Sequence, residues 1–140
     1  MSYGNISKRV TIIDKGKTFK FDSKLEHETY KILRRFYEPD EILKNTKKTL
    51  VDEPKKISTF IDFETPRHYI ECKGSWAFAN KNDIAYIKLK YVLFIKHYRD
   101  KPFILLVDNL TKKISTQLPT ELRLTSKNKL FNILTHDLPQ

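Results

Sequence analysis

A single mixed α/β domain is the fold class this chain predicts. Its length, two helical stripes of apolar residues and one short all-apolar run point there. At 140 residues there is room for one core but not for two. Leu25, Thr29, Ile32, Leu33 and Phe36 recur at helical spacing, as do Ile84, Ile87, Tyr91, Phe94, Ile95 and Tyr98. The run "FILLV" at 103–107 is too short for a helix and reads as a buried strand. Because a long helix precedes it, that strand is expected to lie parallel to a neighbour. The whole of 1–140 is expected to be one domain. It divides into a basic N-terminal arm or hairpin over 1–21, a core over 22–108 and a C-terminal extension over 109–140.

In chain order, "IIDKGKTFKF" fits two short strands about a Lys15-Gly16 turn, or equally a loose arm. Residues 22–37 predict a helix capped by Ser23 and closed by Pro39. The segment "EILKNTKKTLVDEP" is ambiguous, with a strand expected around 48–51. Residues 57–64 and 68–73 predict a β-hairpin about Pro66-Arg67. A second helix is expected from a cap at Asn82 or Asp83 to about His97, followed by the "FILLV" strand. Ser126 is a candidate cap for a last short helix over "KNKLFNIL".

Composition narrows the function classes. The net charge of +10 and a pI of about 9.6 favour a polyanionic partner, nucleic acid before an acidic membrane surface. Cys72 is the single cysteine, which excludes an internal disulfide and a thiolate zinc cluster and suits a reducing compartment. The N-terminus lacks a signal-peptide core, and "YVLFI" and "FILLV" are too short to span a bilayer. The expectation is a cytoplasmic protein with no membrane partner. "DKGKT" lacks the first glycine of a phosphate-binding loop, so no nucleotide cofactor is expected. The four histidines show no ligand spacing.

The hairpin carries the chemistry. With its turn centred between Pro66 and Arg67, Asp62 falls opposite Glu71, Phe60 opposite Lys73, and Glu64 opposite Tyr69. Alternation then gathers Asp62, Glu64, Glu71 and Lys73 on one face and Ile61, Phe63, Ile70 and Cys72 on the other. Carboxylates opposed across a ladder repel. Lys73 compensates in part, and a divalent cation with hard oxygen ligands, Mg²⁺ or Mn²⁺, would do so better. The alternative is an ordinary charged and exposed sheet face. Charge distribution favours a site. Lysine and arginine crowd the arm (Lys8, Arg9, Lys15, Lys17, Lys20, Lys24), the second helix (Lys81, Lys88, Lys90, Lys96) and the tail (Lys112, Lys113, Arg123, Lys127, Lys129). Residues 57–80 instead hold two basic against three acidic residues. An acidic centre in a basic surround attracts phosphates and holds a cation.

Asp62, followed by Glu71-Cys72-Lys73 on the next strand, resembles the PD-(D/E)XK nuclease superfamily, and "SKLE" at 23–26 resembles its acidic first core helix. The resemblance covers 21–108. Together "FDSKLE", "DF" and "ECKGSW" look most like small phage nucleases, including Holliday-junction-resolving enzymes of the endonuclease I type. One departure is Ile61, where that family often has proline.

The resemblance implies a restriction-endonuclease-like fold and a Mg²⁺-dependent DNA endonuclease, with Mn²⁺ able to substitute. Asp62, Glu71 and the Cys72 backbone carbonyl would be metal ligands, and Glu26 a further one. Lys73 would position the attacking water, so Glu26, Asp62, Glu71 and Lys73 form the implied catalytic set. For Glu26 the competing role is a capping box, returning a hydrogen bond to the Ser23 backbone. Glu64, near the turn, is expected to stand behind the metal ligands or in solvent, and Glu28 in solvent. Lys17, Lys20, Lys24, Trp76, Lys81, Lys88 and Lys90 are candidate DNA contacts, with core packing as the competing role for Trp76. The partner implied is DNA. A homodimer would follow if junctions are resolved, whereas nicking needs one site. From a different class, the rival is a non-catalytic DNA-binding protein on the same fold.

Overall fold

The computed structural model describes residues 9–137. Lys8 and the rest of 1–8 of the expected arm, and 138–140 of the extension, lie outside the described residues. Strands β1 (Val10–Asp14) and β2 (Lys17–Phe21) form an antiparallel hairpin, settling the choice between hairpin and loose arm. Lys15 and Gly16 both take positive φ, 50° and 81°, the conformation a two-residue hairpin turn requires. Phe19 and Phe21 are buried against Tyr30 of helix α1 (Lys24–Leu33). Ser23 caps α1 by accepting from the Glu26 N–H at 3.1 Å. The helix ends before the expected Tyr37; Tyr37 N still bonds Leu33 O, and Pro39 opens a short 3₁₀ turn.

Strand β3 spans Leu43–Val51, longer than the stretch its sequence suggests. It is an edge strand of the five-stranded sheet, so its polar, lysine-rich pattern carries little apolar alternation to read. β4 (Ile57–Glu64) and β5 (Tyr69–Lys73) follow, with Phe63 opposite Ile70 and Glu64 opposite Tyr69, the register centred between Pro66 and Arg67. Thr65 Oγ1 closes the turn by accepting from Arg67 and His68 N–H. The 17-residue helix α2 (Lys81–His97) is capped by Asn80, two residues before the expected site, whose side chain accepts from Asp83 N.

Strand β6 (Phe103–Val107) is buried throughout and runs parallel to β5. Helix α3 (Lys112–Gln117), strand β7 (Leu124–Ser126) parallel to β6, and helix α4 (Lys127–His136) complete the chain. Ser126 sits at the N-cap of α4 without a side-chain cap bond.

The sheet order is β3-β4-β5-β6-β7, mixed and covered on both faces. On one face Tyr69, Leu105 and Val107 pack against Ile84, Ile87, Tyr91 and Phe94 of α2. On the other, Ile70, Ile104 and Leu106 pack against α1, α4 and the N-terminal hairpin. Each fully buried aliphatic side chain here contributes about 1.5–3 kcal/mol. One facing assignment changes. Ile61 packs with the α2 layer and Phe63 with the α1 layer, so they do not share a face. The alternation of β4 breaks between them, at Asp62, and across the ladder Asn45 takes a positive φ of 55°. Among the described residues no helix is long and apolar enough to cross a membrane.

Candidate active site

The β4–β5 ladder stops at Phe63 and Ile70. One step further the backbones no longer pair, and Phe60 does not register with Lys73 as alternation alone predicts. The reason is that two side chains take over the ladder bonds. Glu71 Oε1 accepts from Asp62 N–H at 3.0 Å, and Asp62 Oδ2 accepts from Cys72 N–H at 2.9 Å. Each carboxylate thus satisfies the backbone donor that the opened ladder would strand. The Cys72 carbonyl lies on the same edge of β5 as its N–H, toward this opening.

The pair is not laid on an exposed face: Glu71 is buried and Asp62 half-buried. Glu71 is 3% exposed, and α2 covers it. Tyr91 of α2 donates its hydroxyl to Glu71 Oε2 at 2.5 Å, and Lys73 Nζ stands 3.6 Å from the same oxygen. Burial and the adjacent Glu71 charge push the Asp62 carboxyl up to about 8. Lys90, one residue before Tyr91, is held below the usual lysine range by burial and by the Lys73 charge, while Glu71 and Asp62 pull the other way. Its ammonium therefore belongs to the same electrostatic site.

Glu26 resolves the choice between capping and site. Ser23 caps the helix, but the Glu26 carboxylate turns to Lys44 of β3, with Oε1 2.5 Å from Nζ, and it is 7% exposed. Burial, followed by the Asp62 charge, raises its pKa. Glu26 thus lies within the field of Asp62, on the other side of Lys44. Among the described residues no three Asp, Glu, His or Cys side chains converge as a ready ligand shell. The arrangement is a close pair, Asp62 and Glu71, with a third acid nearby on a lysine.

The donor set nevertheless suits a hard divalent cation. Two carboxylates and a carbonyl offer oxygen ligands, and the raised Asp62 pKa marks a pair with too little positive charge to ionise freely.

The other expected residues separate clearly. Glu64 pairs with Lys48 at 3.0 Å and Lys101 at 2.7 Å, apart from the acid pair. Glu28 is bonded by Lys127 rather than free in solvent. Lys17 donates to the carbonyls of Pro39 and Ile42, which anchors the hairpin. Lys20, Lys24, Lys81 and Lys88 are exposed, Lys90 is partly buried, and Trp76 is 63% exposed, not packed in the core. Cys72 is bonded to the Thr29 hydroxyl, and burial raises its thiol well above the usual range.

Sequence reasoning missed Lys44 and Tyr91 as site residues. Lys44 carries no local signal, lying in an ambiguous polar stretch 18 residues from its partner. Tyr91 did carry one, since a tyrosine in a buried stripe brings a hydroxyl that needs a partner.

No protein-family model matches the chain, and no curated protein or solved structure matches it.

Proposed function

We propose that this protein is a divalent-metal-dependent DNA endonuclease. The carrying observation is the pair of half-buried Asp62 and buried Glu71, which hold the opened end of the β4–β5 ladder with Lys73 3.6 Å from Glu71. A folded protein gains little from two adjacent, mutually repelling carboxylates withdrawn in part from water, and a cation site explains them. Asp62, Glu71 and the Cys72 carbonyl would hold Mg²⁺ or Mn²⁺, which supplies Lewis acidity toward a phosphodiester and an acidified water. The order α1, β3, β4, β5, α2, β6 agrees with the restriction-endonuclease-like core that the Asp and Glu-x-Lys pattern implies.

The chain's own residues have distinct tasks. Tyr91 fixes the Glu71 rotamer by donating to Oε2, leaving the carboxylate aimed by two bonds. Lys73 is poised to hold the attacking water or a phosphate oxygen, and Lys90 adds a second positive charge for the phosphate backbone. The exposed lysines of the basic surround steer DNA to the acidic centre.

The test is a cleavage assay with Mg²⁺ on a four-way junction and a linear duplex of matched sequence. Wild type should cut, and Lys73→Ala should lose at least about 100-fold in rate. A high junction-to-duplex ratio would mark a resolvase and hence a dimer. Binding without any cutting would favour a non-catalytic DNA-binding protein.

A further inference from the structure

Trp76 occupies an unusual position directly beyond the acid pair. Three residues after Lys73, it sits in the 3₁₀ turn Ser75–Phe78. Phe78, 5% exposed, anchors that turn in the core, and Ser75 N–H donates to Asp108 Oδ1 at 2.8 Å, tying it to the end of β6. Trp76 itself is 63% exposed. Its indole lies against Gly74: a Cβ at that position would meet Trp76 Nε1 at 2.4 Å and Cδ1 at 2.6 Å. The glycine therefore makes room for the ring, which is held close to the backbone with most of its surface open to solvent. Leaving an indole this open forgoes the burial that makes tryptophan worth having. Three Cα steps hold its Cα within about 11 Å of the Lys73 Cα, roughly a nucleotide or two of backbone.

A ring held this way offers an aromatic face, and a nucleic-acid base offers one in return only when it is not stacked between neighbours in a continuous duplex. We infer that Trp76 is a stacking platform for a base beside the phosphate held at Asp62, Glu71 and Lys73, so that the preferred substrate is DNA with an unpaired nucleotide at the cut. The inference rests on the endonuclease reading of the same site. Lys73, the residue before Gly74, and Lys90, which feels the Lys73 charge, supply the positive charge that brings the phosphate in.

Trp76 is the single tryptophan of the chain, so its emission reports the proposed contact without a label on the protein. Wild-type protein in Ca²⁺, which accepts carboxylate oxygens but not the tight octahedral geometry of Mg²⁺, is titrated with three end-labelled DNAs: a duplex, the same duplex with a two-nucleotide bulge, and a single strand. Binding is followed by anisotropy and stacking by tryptophan emission. The bulged and single-stranded DNAs should quench the emission and the duplex should not. Trp76→Ala should weaken bulge binding roughly 5- to 100-fold and leave duplex binding unchanged. Trp76→Phe, which keeps an aromatic face, should retain the bulge preference, and it serves if the alanine variant folds poorly. Bulge binding with unchanged emission, or equal quenching by the duplex, would overturn the inference and leave the endonuclease reading standing. No binding of any of the three DNAs would overturn both.

Discussion

Lys44 Nζ lies 2.5 Å from Glu26 Oε1, in a contact where both side chains are about nine-tenths buried. Lys44 also stands over the Phe63 ring at 4.7 Å, which supports its charge from the other side. The lysine thus neutralises an acid that lies within the field of Asp62. Removing it leaves a buried carboxylate without a partner. Lys44→Met should destabilise the fold by about 3 kcal/mol in urea denaturation, and Glu26→Gln in the same chain should restore most of that. Equal loss in the single and double variants would mean that the pair is not the source.

Asp62 makes stability depend on pH with a definite sign. Its folded pKa, about 8, lies above the ordinary value of 3.8. Between these values the folded state binds more protons at Asp62 than the unfolded one, so the contribution of this group to stability is full below about pH 4 and is lost as pH rises toward 8. Thermal denaturation without divalent cations should show this decline as the difference between wild type and Asp62→Asn, on the order of a few kcal/mol across the window. Adding Mg²⁺ at pH 8 should raise the wild-type Tm and leave that of Asp62→Asn almost unchanged. A difference between the two proteins that does not fall with rising pH would contradict the raised pKa of this acid.

Tyr91→Phe removes one hydroxyl and nothing else from the site. Its bond to Glu71 Oε2 at 2.5 Å is to a buried carboxylate, so the loss should be about 2 kcal/mol of stability. Cleavage should fall as well, because Glu71 would keep only the Asp62 N–H to aim it. Urea denaturation and single-turnover cleavage of the same variant separate the two effects. An unchanged cleavage rate would assign Tyr91 to packing alone.

Gly74→Ala should move the indole rather than unfold the chain. The added methyl would collide with the Trp76 ring at 2.4 Å, and the ring is exposed and free to swing outward. Tryptophan emission should shift, while the urea midpoint changes by less than about 1 kcal/mol equivalent. An emission spectrum identical to wild type would show that the ring does not rest on Gly74.

Much of this architecture is local, and local features were legible. Apolar periodicity marked α1 and α2, the all-apolar run marked β6, and the Pro66-Arg67 turn set the register that pairs Phe63 with Ile70. The same register gathers Asp62, Glu71 and Lys73 from the sequence, since turn centre and alternation are properties of a few neighbouring residues. Only the end of β3, around 48–51, was legible, because an edge strand has no need of the apolar alternation that betrays a strand; β7, at three residues, is too short to show any.

What the chain order alone determined, then, is a mixed α/β domain with an acid pair and a lysine on one hairpin. Tertiary structure alone decided how that pair is held. The ladder opens because side-chain carboxylates compete for its N–H groups, and the face of β4 switches at Asp62. Glu26 leaves its capping role for Lys44, Tyr91 reaches Glu71 across the layer, and Trp76 lies out on Gly74 instead of in the core. Each depends on contacts between elements distant in sequence or on the space left between packed layers. Periodicity records which side of an element faces inward, but not which partner it meets there.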